Sequence, residues 1–342
     1  MTATFSIVTP VYNDARWLPG AIESVLRQTY PHWEMVIGDN ASESDLASIV
    51  AGYPDERIRY RRWERHTGVA DNHNRTLVLC RNDWLQVLSA DDRLVPECLE
   101  RMAARIDEAT AAGREPALVL TAARPVLEDG TDAGQFSGSW RVKHLPSGTY
   151  GPAQWLRHVA EPGQVPWNIG SIALARQVWE VMGGFFREEA GWFDLDMTLR
   201  ASAYGPVEYL DEKLLANTVR PTAVNKELTR SDLAGRRLTA LGLAILSGLA
   251  VHEARRAVSP AERQFVERQV AVTLVGRALQ QRYLPGGRGR RGAFGDLRRA
   301  FGFDRLWFLS PRHALRAALA IAAPRSVIVR AKSWFTRTGR VL

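Results

Sequence analysis

Five aspartates are the residues of this 342-residue chain best suited to do chemistry, and they fall into three groups: Asp39, Asp91 with Asp92, and Asp194 with Asp196. An aspartate that ends a strand can accept a hydrogen bond from a nucleobase imide N–H, or it can simply cap a helix, and both interpretations apply to Asp39. Two adjacent carboxylates after a strand suit Mg²⁺ or Mn²⁺, which take oxygen ligands together with substrate phosphates, although the same pair can also form a plain turn. A carboxylate that enters a helix can act as a general base or merely stabilise the helix dipole, so Asp194 and Asp196 are both candidates.

The hydrophobic pattern around these aspartates alternates between the strand and helix periods. Strands are predicted at residues 5–11, 33–39, 58–60, 84–88, 117–123, 169–175 and 207–210, and helices at 18–26, 46–50, 71–80, from 96, 177–182 and 194–203. Asn13 or Asp14 is the predicted N-cap of the first helix. This alternation predicts an α/β fold with a mostly parallel sheet flanked by helices, whose ligands bind beyond the carboxyl ends of the strands. Asp39, Asp91 and Asp92 all follow such ends.

The chain is predicted to form two domains, residues 1–224 and 225–342, because the pattern turns wholly helical after about residue 226. The formal net charge is +8, and residues 281–342 contain 14 Lys and Arg against two acids, which leaves the remainder at −4. A basic helical tail of this kind either contacts an anionic surface, such as acidic lipid headgroups, or is a solvated face. The uncharged run 238–251 is too short to span a bilayer, which needs about 20 residues.

Composition and motif searches exclude several classes of protein. The 46% hydrophobic and 24% charged fractions are typical of a globular chain, and two cysteines cannot form a disulfide framework. The N-terminus lacks the basic start and apolar core of a signal peptide, which predicts a cytoplasmic protein. A match to G-x-G-x-x-G at 287–292 follows no predicted strand and is discarded as a basic loop. The sequence contains no phosphate-binding P-loop, no zinc-type Cys/His spacing and no G-x-S-x-G elbow.

Six segments in this order resemble the family 2 glycosyltransferases, which have the GT-A fold. They are SIVTPVYN at 6–13, AIESVLRQT at 21–29, WEMVIGDNAS at 33–42, GVADNHNR at 68–75, LSADD at 88–92, and GGF at 183–185 followed by Asp194. The resemblance covers roughly residues 4–215. It implies a nucleotide-binding catalytic domain of GT-A fold in residues 1–224.

The resemblance also implies roles for particular residues. Those expected to bind the donor are Thr9, Pro10, Tyr12, Asp39, Asn72, Arg75, Ala90 and Asp91, with Asn74 as a further contact. Asp91 is expected to hold a divalent metal, Mn²⁺ or Mg²⁺, that bridges the donor phosphates. Asp194 is expected to take the proton from the acceptor hydroxyl in a single displacement with inversion, and Trp167, Asn168 and Trp192 are acceptor-side candidates.

Two positions depart from the family pattern. Ser89 stands where the family has the first Asp of its D-x-D motif, which leaves Asp91 as the principal metal carboxylate. Phe193 stands where the family often has Glu, and Asp196 remains open as an alternative base. A weakened or non-catalytic site is therefore one of the alternatives.

The resulting hypothesis is an inverting hexosyltransferase of bacterial envelope polysaccharide biosynthesis. Its donor is expected to be UDP- or dTDP-linked, and its acceptor a glycan or lipid-linked saccharide. The basic tail would hold it peripherally on the inner face of the cell membrane. The sequence lacks the glycine-rich basic signature of a nucleotidyltransferase. It also has no recognisable nucleic-acid-binding fold, so no nucleic-acid partner is expected. A non-catalytic protein that binds a nucleotide sugar or an anionic surface is the remaining alternative.

Overall fold

The computed structural model describes residues 2–133, 145–161, 167–182, 193–220, 245 and 248–270. The contacts between Cα atoms divide the chain into two compact units. The first unit contains Met1–Arg220 together with Ala250–Val258, and the second contains Pro221–Leu249 with Ser259–Leu342.

The first unit alternates strands and helices from its start. The strands are β1 (Phe5–Val11), β2 (Trp33–Asp39), β3 (Ile58–Arg62), β4 (Trp84–Val87), β5 (Arg93–Leu94), β6 (Leu118–Val126), β7 (Gly148–Tyr150), β8 (Ile172–Ala175) and β9 (Val207–Thr218). The helices are α1 (Leu18–Leu26), α2 (Leu46–Ala51), α3 (Val69–Leu77), α4 (Cys98–Ala111), α5 (Pro152–Ala160), α6 (Arg176–Met182) and α7 (Phe193–Ala201). A short 3₁₀ turn, Ile169–Ser171, precedes β8.

All nine strands join one sheet in the order β3-β2-β1-β4-β8-β6-β9-β5, with β7 also paired to β9. Strands β3, β2, β1 and β4 are parallel, and β6 is parallel to β9. Strand β8 runs antiparallel between β4 and β6, so β6 and β9 point in the same direction as β1, β2 and β4. The predicted α/β class is confirmed, and the antiparallel strands β5, β7 and β8 make the second half of the sheet mixed.

The first loop corrects one local prediction. Helix α1 begins at Leu18, after Trp17, and has no side-chain cap at its N-terminus. Asn13 instead takes a positive φ of 56° and accepts a hydrogen bond from the backbone N–H of Glu43 at 2.8 Å, while the Asp14 carbonyl accepts from Trp17 and Leu18. The Asn13 side chain therefore joins the loop after β1 to the loop after β2, and neither predicted residue caps the helix.

Helix α3 lies unusually close to β2 at Gly38. A Cβ at this position would lie 2.0 Å from the Thr76 hydroxyl oxygen and 2.7 Å from the Thr76 methyl group. Thr76 is fully buried, and its hydroxyl donates to the Asn72 carbonyl at 2.6 Å. Glycine at 38 thus lets α3 pack directly against the strand that ends at Asp39.

In the second unit, residues 260–270 are helical, and Val266 and Val270 are buried. The Ser259 hydroxyl lies 3.3 Å from the Glu262 backbone nitrogen, and the Glu262 carboxylate accepts from the Ser259 backbone N–H at 2.7 Å, which is a reciprocal N-terminal cap. No helix within the described ranges is long and apolar enough to cross a membrane. The basic segment 281–342 lies outside the described residues.

Candidate active site

Asp39 ends β2 at the carboxyl edge of the sheet, as predicted, and its carboxylate is fully buried. Oδ1 accepts from the backbone N–H of Ser42 at 2.9 Å, and Oδ2 accepts from the Tyr60 hydroxyl at 2.5 Å. Arg62 Nε lies 3.7 Å from Oδ2. Burial, followed by the hydrogen bond to Asp39, raises the pKa of Tyr60, so the phenol stays protonated and donates. The carboxylate therefore fixes the turn that follows β2.

Arg75 and Asn72 extend this cluster from α3. Arg75 Nε donates to Asn72 Oδ1 at 3.1 Å, and its guanidinium also hydrogen-bonds to Asn40 Oδ1 and stacks on the Trp63 ring at 4.6 Å. Asn72 Nδ2 donates to the Gly38 carbonyl at 3.3 Å. The two residues are thus brought together beside Asp39, and the positive charge of Arg75 is held in place by Asn72, Asn40 and Trp63.

Strand β1 and the residue after it supply three of the predicted donor-site residues. Thr9 is fully buried, and its hydroxyl oxygen has no hydrogen-bond partner among the described residues. Pro10 lies opposite Gly38 in the sheet register. Tyr12 is 43% exposed, and its ring centroid lies 4.4 Å from that of His66. A buried hydroxyl with no partner among the described residues therefore lies on the strand paired with β2, and an exposed aromatic ring directly follows that strand.

The turn after β4 contains two carboxylates in different environments. Asp92 is buried, and its Oδ1 accepts from Asn217 Nδ2 at 3.0 Å and from the Thr218 backbone N–H at 2.9 Å. Burial, followed by repulsion from Asp91, raises the pKa of Asp92 to about 7. Asp91 keeps part of its side chain exposed and follows the buried Ala90. Asp92 therefore anchors the turn to β9, and Asp91 is the carboxylate that the turn presents.

The structure adds Arg220, a residue that sequence reasoning missed, to this turn. Its Nε lies 2.6 Å from Asp91 Oδ2, and its Nη1 lies 3.0 Å from Asp14 Oδ1. Burial raises the pKa of Asp91, and the charge of Arg220 acts against that rise. Because β9 is parallel to β6 and points the same way as β4, Arg220, two residues past β9, reaches the same edge of the sheet as Asp91.

The oxygen ligands of this turn suit a divalent cation, but the protein supplies few of them. No group of three or more His, Cys, Asp or Glu residues in the described part of the chain could hold a metal ion. Asp91 is a single carboxylate with one oxygen engaged by Arg220, and Ser89 offers at most a hydroxyl. Hard cations are nevertheless bound by one or two carboxylates when substrate phosphates supply the other oxygens. The residues therefore fit a cation that is shared with a phosphate ligand.

The third pair of aspartates lies in the first turn of α7. Asp196 is buried and pairs with Arg200, with Oδ2 at 2.8 Å from Nε and exposed side-chain fractions of 3% and 2%. Asp194 is partly exposed, and its Oδ1 accepts from the Leu195 backbone N–H at 2.8 Å. Burial raises the pKa of Asp194, opposed by the hydrogen bond from Leu195. Asp196 is thus satisfied by a buried ion pair, whereas Asp194 keeps part of its side chain exposed.

The three acceptor-side candidates have three different outcomes. Trp167 is buried and stacks on Trp155 with ring centroids 4.8 Å apart, so it belongs to the core. Asn168 caps the 3₁₀ turn through a 3.3 Å hydrogen bond from the Gly170 backbone. Trp192, the GGF segment at 183–185 and the Phe193 side chain lie outside the described residues.

Comparisons of the sequence find a match between residues 6–114 and the model of the family "Glycosyl transferase family 2". The chain is 31% identical over 133 residues to TuaG of Bacillus subtilis, which is named as a teichuronic acid biosynthesis glycosyltransferase. That alignment covers 38% of this chain and 51% of TuaG, so the chain spans about half the length of that relative.

Two solved structures share the fold. S. aureus TarS 1-349 in complex with UDP-GlcNAc superimposes with a TM-score of 0.56 at 16% identity, over 91% of this chain and 92% of TarS. The mannosyltransferase PcManGT from Pyrobaculum calidifontis, in complex with GDP-Man and Mn²⁺, gives a TM-score of 0.56 at 16% identity, over 97% of this chain and 80% of its own. Residues 6–114 therefore match the model of the family 2 glycosyltransferases, and the chain has the GT-A fold.

Proposed function

We propose that the protein is an inverting glycosyltransferase that moves a sugar from a nucleoside-diphosphate donor to a hydroxyl group of a glycan or lipid-linked saccharide. One observation carries the proposal: in each of two aspartate pairs, one member is buried and bound by the protein, and the other retains exposure. Asp92 and Asp196 are the buried members, and Asp91 and Asp194 are the partly exposed ones. Partial exposure leaves Asp91 and Asp194 within reach of a ligand, as a metal-binding carboxylate and a general base both require.

Asp194 is proposed as the general base. A base must lose its proton before it can accept one from the acceptor hydroxyl, and its strength increases with its pKa. Burial raises the pKa of Asp194, which makes it a stronger base than an exposed aspartate. Its place at the start of α7, without the ion pair that engages Asp196, supports this assignment.

The donor is proposed to lie across β1, β2 and β4 at the carboxyl edge. The Thr9 hydroxyl and the Tyr12 ring are suited to the nucleoside, next to the turn fixed by Asp39. Asn72 and Arg75 supply a polar edge and a positive charge beside this turn. Asp91 is proposed to hold a divalent cation, which when bound supplies Lewis-acid stabilisation of the departing diphosphate. UDP- or dTDP-linked sugars remain the preferred donors.

Release of nucleoside diphosphate from a panel of UDP-, dTDP- and GDP-sugars, measured with Mn²⁺ and with EDTA, tests the proposal. We expect one donor to be turned over, with loss of turnover on chelation and in Asp91→Ala and Asp194→Ala. Asp107→Asn, which changes an exposed aspartate on α4, is the matched control and should keep wild-type turnover. Where an acceptor is found, the new linkage should have the anomeric configuration opposite to that of the donor.

The result also separates catalysis from binding alone. Calorimetric binding of UDP, dTDP or GDP without turnover, in the presence of candidate acceptors, would favour a non-catalytic nucleotide-sugar-binding protein. Absence of both binding and turnover would refute the proposed donor class.

We further propose that the basic segment 281–342, with its +12 charge, holds the enzyme on an anionic membrane surface. Sedimentation with vesicles tests this part. The full chain should pellet with phosphatidylglycerol vesicles and remain in the supernatant with phosphatidylcholine vesicles at low salt. Equal pelleting with both would refute it.

A further inference from the structure

The guanidinium group of Arg220 is ion-paired with Asp91, the carboxylate proposed to bind the metal. Arg220 bridges Asp91 and Asp14, at 2.6 and 3.0 Å, and all three side chains are partly exposed, at 31%, 20% and 27% respectively. One cation of this chain therefore already neutralises two carboxylates at the carboxyl edge of the sheet.

The backbone near Arg220 is fixed both to the turn that contains Asp91 and to the end of β6. The Thr218 hydroxyl donates to the Asp91 carbonyl, and the Val219 backbone N–H donates to the Val126 carbonyl at 2.8 Å. The guanidinium itself sits at the end of a long side chain, 5.2 Å from the Trp17 ring centroid. Its backbone anchor can therefore stay in place while the guanidinium changes partners.

A metal ion and Arg220 would both be drawn to Asp91 and would repel each other there, because two positive charges a few ångströms apart interact unfavourably. A guanidinium released beside a diphosphate has a ready new partner, since its fork of N–H donors matches phosphate oxygens. We propose that Arg220 competes with the divalent cation for Asp91 and moves from Asp91 to the donor diphosphate when metal and donor bind. The inference rests on the proposed function in taking the donor to be a nucleoside diphosphate sugar.

Removal of the guanidinium should then have opposite effects on two ligands. Without its competitor, Asp91 should bind Mn²⁺ alone about 5- to 10-fold more tightly, a gain of the size expected for a partly exposed arginine–carboxylate pair. Without the same charge, the metal-loaded protein should bind the nucleoside diphosphate about 10-fold more weakly. A purely structural arginine would not produce opposite shifts.

The experiment titrates Mn²⁺ into the full-length wild type, Arg220→Gln and Arg220→Lys without nucleotide, with free Mn²⁺ followed by electron paramagnetic resonance. UDP, dTDP and GDP are then titrated in turn at saturating Mn²⁺ by calorimetry. The control is Arg16→Gln, because Arg16 lies over the same Trp17 ring at 4.7 Å but pairs with Glu128. This control should keep wild-type affinity for both ligands. Arg220→Lys should bind Mn²⁺ about 2- to 3-fold more tightly, because one ammonium cannot span both carboxylates.

Equal or weaker Mn²⁺ binding by a folded Arg220→Gln would overturn the proposal, as would undetectable Mn²⁺ binding by every variant. If Arg220→Gln does not fold, wild-type Mn²⁺ affinity in Arg220→Lys overturns it instead. Tighter Mn²⁺ binding with unchanged nucleotide affinity would refute the move to the diphosphate. Sugar-nucleotide turnover is measured separately, so that the two proposals can fail independently. Turnover that survives EDTA would support glycosyl transfer and refute the competition between Arg220 and the metal. Opposite shifts in Mn²⁺ and nucleotide affinity without turnover would support the competition and refute glycosyl transfer.

Discussion

Substitution of Asp196 by asparagine tests whether the two aspartates of α7 have separate roles. Asp196 and Arg200 form a buried pair at 2.8 Å, with exposed fractions of 3% and 2%. Removal of one partner from a buried ion pair costs about 3–5 kcal/mol, because a buried charge loses its counter-charge. Asparagine keeps an oxygen that can accept from Arg200 Nε, so we expect the lower end, about 3 kcal/mol. With a typical urea dependence of about 2–3 kcal/mol per molar, the midpoint of unfolding falls by about 1–1.5 M.

Asp194→Asn should show the opposite profile. The Asp194 carboxyl has a raised pKa because burial disfavours its charged form, so a neutral amide should leave the free energy of unfolding unchanged or slightly higher. Loss of the general base should lower kcat by about 10²–10⁴-fold. Folded Asp196→Asn, assayed well below its unfolding midpoint, should keep kcat within about threefold of the wild type.

Urea denaturation followed by far-ultraviolet circular dichroism gives the stabilities, and initial rates of nucleoside diphosphate release give kcat. An Asp196→Asn protein as stable as the wild type would refute the reasoning about the buried pair. Loss of kcat in folded Asp196→Asn, with retention in Asp194→Asn, would reverse the assignment of the base. The double variant Asp196→Leu/Arg200→Met should recover much of the lost stability, because an apolar pair of similar volume replaces the ion pair.

Three further predictions concern packing, the Asp39 cluster and pH. Gly38→Ala places a methyl group 2.0 Å from a buried threonine hydroxyl of α3, so it should lower the free energy of unfolding, measured by urea denaturation, by about 2 kcal/mol. The control is Gly148→Ala, whose Cβ meets nothing closer than 3.9 Å and which should change that free energy by less than about 0.5 kcal/mol. Equal effects would contradict the close packing. Tyr60→Phe removes the hydroxyl that donates to buried Asp39, which should cost about 1–2 kcal/mol in the same assay; an unchanged midpoint would argue against this hydrogen bond. Because burial raises the pKa of Asp194, its carboxylate should become protonated, and so lose its function as a base, at a higher pH than an ordinary aspartate does. The fall of kcat/KM on the acid side of the pH profile should therefore lie above about pH 4. A fall at or below about pH 4 would count against this role.

The sequence patterns located the parallel half of the fold well. Strands β1 and β2 begin and end where the apolar runs predicted, because strands buried in a parallel sheet are continuously apolar and carry their own signal. The two-residue β5 and the three-residue β7 carry no such signal. They exist because β9 offers hydrogen-bonding partners along its twelve residues, a property of the assembled sheet.

The strand order by itself predicted candidate site residues only where they follow strand ends, whereas Asn72, Arg75 and Asp194, which lie on helices, were predicted from the family resemblance. Asp39 and Asp91 lie where the order of the strands placed them. Arg220 was missed because the last strand was predicted to end at residue 210, whereas β9 continues to Thr218. Had the strand been extended, the same argument about carboxyl ends would have placed Arg220 beside Asp91. Tyr60 was missed for a different reason, since only the pairing of β2 with β3 brings its hydroxyl to Asp39.

Strand β3 forms one end of the sheet, and among the described strands it pairs with β2 alone. Its sequence, IRYRR, places arginines at 59, 61 and 62. An open strand edge is a template on which another chain can add a strand, and positive side chains on that edge discourage such pairing through repulsion between copies. Arg59 is paired with Glu34, but Arg61 and Arg62 are exposed, so we expect their charges to oppose pairing of this edge with a second copy and their neutralisation to favour self-association.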